Sequence, residues 1–75
     1  MYTIYSKPNC SFCTQAKQLL EMEELPFEYK QLGTHYSLDE LMTLSPNAKS
    51  LPQVFKDGEC IGGFNNLVEY LNKGH

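Results

Sequence analysis

The residues best suited to chemistry in this chain are two cysteines two residues apart, in Lys7-Pro8-Asn9-Cys10-Ser11-Phe12-Cys13. They stand just after a strand-like run and just before a helix-like one. A thiol at the first turn of a helix faces unpaired backbone N–H groups and the positive end of the helix dipole. Both favour thiolate over thiol, so Cys10 is expected to be a nucleophile near neutral pH. Cys13 lies one helical turn further on, close enough to close a disulfide, and deeper in the turn, with less access. The spacing describes a redox pair.

Other chemistry is less well supplied. Cys60 reads as a small apolar side chain opposite Phe55 in a hairpin. A zinc site would have to combine Cys10, Cys13, Cys60 and His35, and the second closely spaced ligand pair usual in such sites is missing, so no metal is expected. His35 and Tyr36 fall in a loop with no evident catalytic partner.

The elements that must hold the cysteines follow from pattern. Tyr2 to Ser6 is aromatic and β-branched, a good short strand. From Cys10 the apolar positions Phe12, Ala16, Leu19 and Leu20 recur at helical spacing to about Glu24, before Pro26 forbids continuation. Phe27 to Gln31 alternates as a second strand, and Gly33-Thr34 opens a loop. Ser37-Leu38-Asp39-Glu40 matches a capping box for a short helix whose inner face is Leu38, Leu41 and Met42. Ser45-Pro46-Asn47 ends that helix. Gln53 to Lys56 is a third strand, and Asp57-Gly58 a strong hairpin signal. A two-residue turn there places Lys56 opposite Glu59, Phe55 opposite Cys60 and Val54 opposite Ile61. Gly62-Gly63 is a tight bend, and Phe64, Leu67, Val68 and Leu71 form the apolar stripe of a last helix. Asn65 or Asn66 is placed to cap that helix, Asn66 having capping-box spacing with Glu69, and Gly74 to end it, leaving His75 as a tail.

The order β-α-β-α-β-β-α describes an α/β protein: a four-stranded mixed sheet with helices on both faces. Its first two strands are parallel neighbours and its last hairpin antiparallel. Seventy-five residues are enough for one domain, 1–75, and no second core. Hydrophobic residues at 41% predict a folded chain, and a formal charge of −3 argues against a nucleic-acid partner. No apolar run approaches a membrane span, and Met1 leads straight into strand-like sequence without a signal-peptide pattern, so a cytoplasmic location is expected.

In this order three motifs stand out: Lys7-Pro8-Asn9-Cys10-Ser11-Phe12-Cys13, Leu51-Pro52-Gln53-Val54-Phe55 and Ile61-Gly62-Gly63-Phe64-Asn65-Asn66-Leu67. Together they make the chain resemble the glutaredoxin family, the smallest form of the thioredoxin fold, over nearly its whole length. The resemblance implies a cis peptide bond before Pro52, holding the Leu51 backbone beside the cysteines to pair with glutathione. It implies that the Gly62-Gly63 bend and the residues after it, Asn65 and Asn66, form the second half of that site, and that Lys7 and Phe12 flank it. The family usually has serine or aspartate where Asn65 stands and an acid where Asn66 stands. Neutral asparagine keeps the hydrogen bonds and loses an ion pair to the ammonium group of glutathione. Phe12 replaces the usual tyrosine, and Ser11 the usual proline.

The activity so implied is reduction of protein disulfides and glutathione mixed disulfides through Cys10 and Cys13. Glutathione is then a co-substrate and nothing is bound as a cofactor. The implied partners are glutathione and disulfide-bearing proteins, ribonucleotide reductase being a common client of the family, and the expected state is a monomer. Three other readings remain. One is a thioredoxin-like donor reduced by a flavin reductase, although no Trp-Cys-Gly-Pro-Cys is present. Another is a dimer holding an iron–sulfur cluster, which serine between the cysteines accompanies in some related glutaredoxins. The third is a structural module with an idle Cys-x-x-Cys.

Overall fold

A computed structural model describes residues 1–46 and 50–73. Strand β1 (Tyr2–Ser6) leads into helix α1 (Ser11–Met22), then β2 (Phe27–Gln31), α2 (Leu38–Leu44), β3 (Gln53–Lys56), β4 (Glu59–Gly62) and α3 (Phe64–Asn72). The sheet order is β2-β1-β3-β4, with β1 parallel to β2 and antiparallel to β3, and β3 antiparallel to β4. This is the thioredoxin fold in the expected element order. Among the described residues no helix is long and apolar enough to cross a membrane.

Strand alternation divides the apolar residues between two faces. Tyr2 and Ile4 of β1 point one way, and with Val54 of β3, Ala16 and Leu20 of α1 and Leu67 of α3 they make the larger core. Tyr5 and Phe55 point the other way, into a smaller cluster with Tyr36 and Leu41. Tyr5 and Tyr36 stack there with ring centroids 4.9 Å apart. The Ser37–Glu40 capping box forms in both directions. Of the inner face expected for α2, only Leu41 is buried; Leu38 is 55% exposed and Met42 lies at the surface as well. A helix of seven residues beside a cluster of three aromatic rings covers little area, so one side chain per two turns reaches the core.

Three boundaries depart from the sequence pattern. Helix α1 stops at Met22 because Glu24 takes a left-handed conformation, φ 56°. Leu25 N–H then donates to Leu20 O and Glu24 N–H to Glu21 O, a Schellman closure made with glutamate where glycine is usual. The Asp57-Gly58 turn has positive φ at both residues and pairs Lys56 with Glu59 and Phe55 with Cys60, as expected. Val54, however, pairs with Gly62 and not with Ile61, because a bulge inserts one residue into β4. Last, α3 starts earlier than an Asn66 cap would allow. Gly63 is its N-cap, and Asn66 in the first turn reaches back to accept from Gly63 N–H at 3.1 Å, so no Asn66–Glu69 box forms. The expected roles of Asn47, Gly74 and His75 lie outside the described residues.

The bulge delivers Gly62 at φ 122°, where an added Cβ would sit 2.6 Å from Asn66 Oδ1. Gly62→Ala is therefore expected to lower stability by about 1–3 kcal/mol in urea unfolding, and unchanged stability would contradict this role. Two buried tyrosines give an opposed pair of expectations. Burial pushes both phenols above their ordinary range, so both are neutral at pH 7. Tyr36 donates to Ser6 O at 2.8 Å, whereas the Tyr2 hydroxyl has no hydrogen-bond partner among the described residues. Tyr36→Phe should cost about 1 kcal/mol, while Tyr2→Phe should be neutral or stabilising by up to about 1 kcal/mol.

Candidate active site

Helix α1 begins where β1, one of the two inner strands, runs out. Pro8 and a left-handed Asn9 (φ 57°) turn the chain, and Cys10 takes the N-cap in extended backbone, φ −113° and ψ 107°. Asparagine tolerates the left-handed region better than most residues, which fits it to this turn. The Cys10 sulfur accepts from Cys13 N–H at 3.2 Å, so a thiol side chain does what a serine or aspartate hydroxyl or carboxylate oxygen usually does at a helix start. Cys13 belongs to the stripe Cys13, Ala16, Leu20 that faces the sheet, and is fully buried. Cys10 is part-exposed. The two are joined as a disulfide, their Cα atoms 5.3 Å apart.

This arrangement separates the roles of the two sulfurs. On reduction, the sulfur at the cap is reachable and has an N–H aimed at it, together with the positive end of a twelve-residue helix. The buried sulfur can reach only its neighbour. The chemistry available is attack by Cys10 on an outside disulfide, followed by attack of Cys13 on Cys10.

The Leu51-Pro52 bond is cis, and the Leu51 carbonyl oxygen stands 3.9 Å from Cys10 Sγ. Beyond it opens a groove of about 420 Å³ whose walls bring together Phe12, Leu51, Pro52, Gly63, Asn65 and Asn66. Lys7 is not among them. It lines a separate, shallower depression on the other flank of Cys10, with Thr14, Tyr29 and Gln31. A further depression, with Lys56, Cys60 and Lys73 in its walls, is of comparable size but lacks Leu51, whose carbonyl links the first groove to the Cys10 sulfur. The reacting sulfurs, not volume, assign the site.

The sequence left three residues of the groove walls unassigned to the site, Ser50, Gln53 and Phe64. Phe64, the first residue of the α3 stripe, packs against the larger core as expected and also places its ring 5.9 Å from that of Phe12, which is 55% exposed. Gln53 follows the cis proline and ties the loop by donating to Ser50 O at 2.9 Å. Gly62 supplies the close approach to Asn66. Nothing in the sequence separates Phe64, which serves both core and groove, from an ordinary core residue.

Cys60 does stand opposite Phe55, but it is exposed rather than packed, a consequence of its place on the outer strand β4. Its sulfur lies 3.8 Å from Gln53 Oε1 and 3.9 Å from Ser45 Oγ. His35 serves its own loop, Nδ1 accepting from Gln31 N–H at 3.0 Å. Among the described residues no three His, Cys, Asp or Glu side chains converge as metal ligands would.

Comparison with known proteins agrees with this geometry. The glutaredoxin family profile matches residues 2–61. The chain is 40% identical over 69 residues to hybrid peroxiredoxin hyPrx5 of Haemophilus influenzae, covering 92% of this chain and 28% of that protein, so it spans little more than a quarter of that relative. It is 31% identical over 71 residues to Glutaredoxin 3 of Escherichia coli K12, covering 95% and 86%. Its fold superimposes on a buckwheat glutaredoxin crystallised with glutathione at a TM-score of 0.81 and 23% identity, covering 97% of this chain and 69% of that one. With a Cys-x-x-Cys thiol–disulfide pair at the N-terminus of α1 and this fold around it, the chain belongs to the glutaredoxin family.

Proposed function

We propose that this chain is a glutathione-dependent thiol–disulfide oxidoreductase acting on protein disulfides and on glutathione mixed disulfides. The observation that carries the proposal is Cys10 itself: a reachable sulfur that accepts from Cys13 N–H and lies 3.9 Å from the Leu51 carbonyl, whose residue, before a cis proline, helps wall the groove. The Cys10 thiolate attacks one sulfur of the substrate disulfide, forming a mixed disulfide and releasing the other half as a thiolate that takes up a proton. For a protein disulfide, Cys13 then attacks the Cys10 sulfur and expels the second substrate thiol. Two glutathione molecules restore the Cys10–Cys13 dithiol and leave as glutathione disulfide. For a glutathionylated protein Cys10 suffices alone, taking the glutathionyl group and passing it to free glutathione.

Glutathione would lie in the groove, its backbone against Leu51 in the manner of an added strand and its γ-glutamyl end toward the α3 N-terminus at Gly63, Asn65 and Asn66. Phe12 would flank it and Lys7 would attract its glycine carboxylate from beyond Cys10. The complex of the buckwheat glutaredoxin with glutathione supports this occupant.

The test is turnover of a glutathione mixed disulfide, with glutathione and glutathione reductase regenerating the protein. Turnover is expected in the unaltered protein. A chain whose Cys10–Cys13 disulfide is reduced only by a thioredoxin reductase would overturn the choice of donor. Cys10→Ser should abolish activity on both substrate kinds, whereas Cys13→Ser should abolish reduction of protein disulfides and retain most of the deglutathionylating activity. Equal loss in both variants would contradict the division of roles.

A further inference from the structure

The groove beside Cys10 has a chemical character of its own. Each described residue in its walls is uncharged, and its two aromatic members, Phe12 and Phe64, tilt at 35° to one another across its rim. Phe12 is more than half exposed, so much of its ring lies uncovered at the reacting end of the molecule. Apolar area left in water at a binding site is free energy a partner recovers on docking. The polar groups of the walls are partly committed already, since Asn66 Oδ1 accepts from Gly63 N–H and Pro52 has no N–H to offer. A carboxylate or ammonium entering here would be desolvated without a counter-ion from these residues.

We propose that Phe12 and Phe64 form a two-ring shelf that selects disulfide substrates carrying an uncharged, apolar side chain beside the reacting cysteine. The inference rests on the groove being the place where the disulfide-bearing partner lies. The Leu51 carbonyl, within 3.9 Å of Cys10 Sγ, ties the groove to the sulfur, so the residue next to a substrate cysteine is the one that falls on the shelf. Successive side chains of an extended segment point to opposite sides, which lets one neighbour rest on the rings while the other faces solvent. Phe64 is then a specificity-determining residue, contributed by α3 and not by the cysteine motif.

The experiment uses the reduced protein without glutathione, mixed with symmetrical disulfides of two blocked tripeptides, Gly-Cys-Phe and Gly-Cys-Ser. Oxidation is followed by acid quench, alkylation and mass spectrometry of the Cys10 and Cys13 thiols. Two electrons pass from the dithiol to the peptide disulfide: one peptide thiol leaves as the mixed disulfide forms, the second when Cys13 displaces it. The phenylalanine peptide should oxidise the protein about five- to tenfold faster than the serine peptide. Because the origin is apolar contact, that ratio should be the same at about 20 mM and about 500 mM sodium chloride. Phe64→Ala and, separately, Phe12→Ser should each reduce it to under about twofold. Phe12 is exposed, so its replacement leaves the core intact and keeps the test decisive even if Phe64→Ala fails to fold. Equal rates with the two peptides, or an unchanged ratio in Phe12→Ser, would overturn the shelf. A protein that shows the preference yet is not reduced by glutathione would lose the glutathione reading and keep this one.

Discussion

The N–H of Cys13 points at the sulfur of Cys10 from 3.2 Å because Cys10 is the N-cap of α1, and much else in the molecule exists to keep it there. A helix start has four N–H groups without partners, and here one of them is given to a reactive side chain. That needs the helix to begin at a fixed point, which the β1 strand, the Pro8-Asn9 turn and the buried stripe Cys13, Ala16 and Leu20 determine together. The same stripe explains why two chemically identical residues differ. Three positions along a helix carry Cys13 from the solvent-facing cap to the sheet-facing side, where it is sealed from everything except Cys10.

The opposite wall of the site is built from the C-terminal half of the chain by a different device. The Asp57-Gly58 turn fixes the β3–β4 register for two pairs, and the bulge then advances β4 by one residue. That shift brings Gly62 and Gly63, and with them the start of α3, next to the loop at Pro52 and the first turn of α1. The contact between Phe12 and Phe64 is where the two halves meet at the surface. A single irregularity in an edge strand thus helps decide which side chains border the groove.

Much of this was legible in the sequence because it is written locally. The Ser37–Glu40 box, the Asp57-Gly58 turn and the helical spacing of Ala16 and Leu20 each depend on neighbours within a few residues. The cis bond before Pro52 was legible only through resemblance, since proline alone favours trans. What escaped was decided at longer range. Periodicity placed Leu38 and Met42 inside, but α2 is too short to bury more than Leu41. Pairing alternation placed Ile61 opposite Val54, and no residue type announces the bulge. Cys60 was expected to pack because Phe55 faces it, yet a position on the outer strand leaves one side open. Phe64 packs against the core as the α3 stripe predicts, and only the approach of α1 shows that its ring also borders the groove.

The measurement that bears most directly on the Cys13 N–H and Cys10 arrangement is the pH dependence of Cys10 alkylation in the reduced protein. Brief iodoacetamide labelling, read peptide by peptide in the mass spectrometer, separates Cys10 from the exposed Cys60. A sulfur held at a helix start should react with a midpoint at least about one pH unit below the value near 8.5 of a free cysteine. Reaction of Cys10 with the midpoint of an ordinary thiol would show that the cap does not activate it, and would leave the pair a cross-link without a nucleophile.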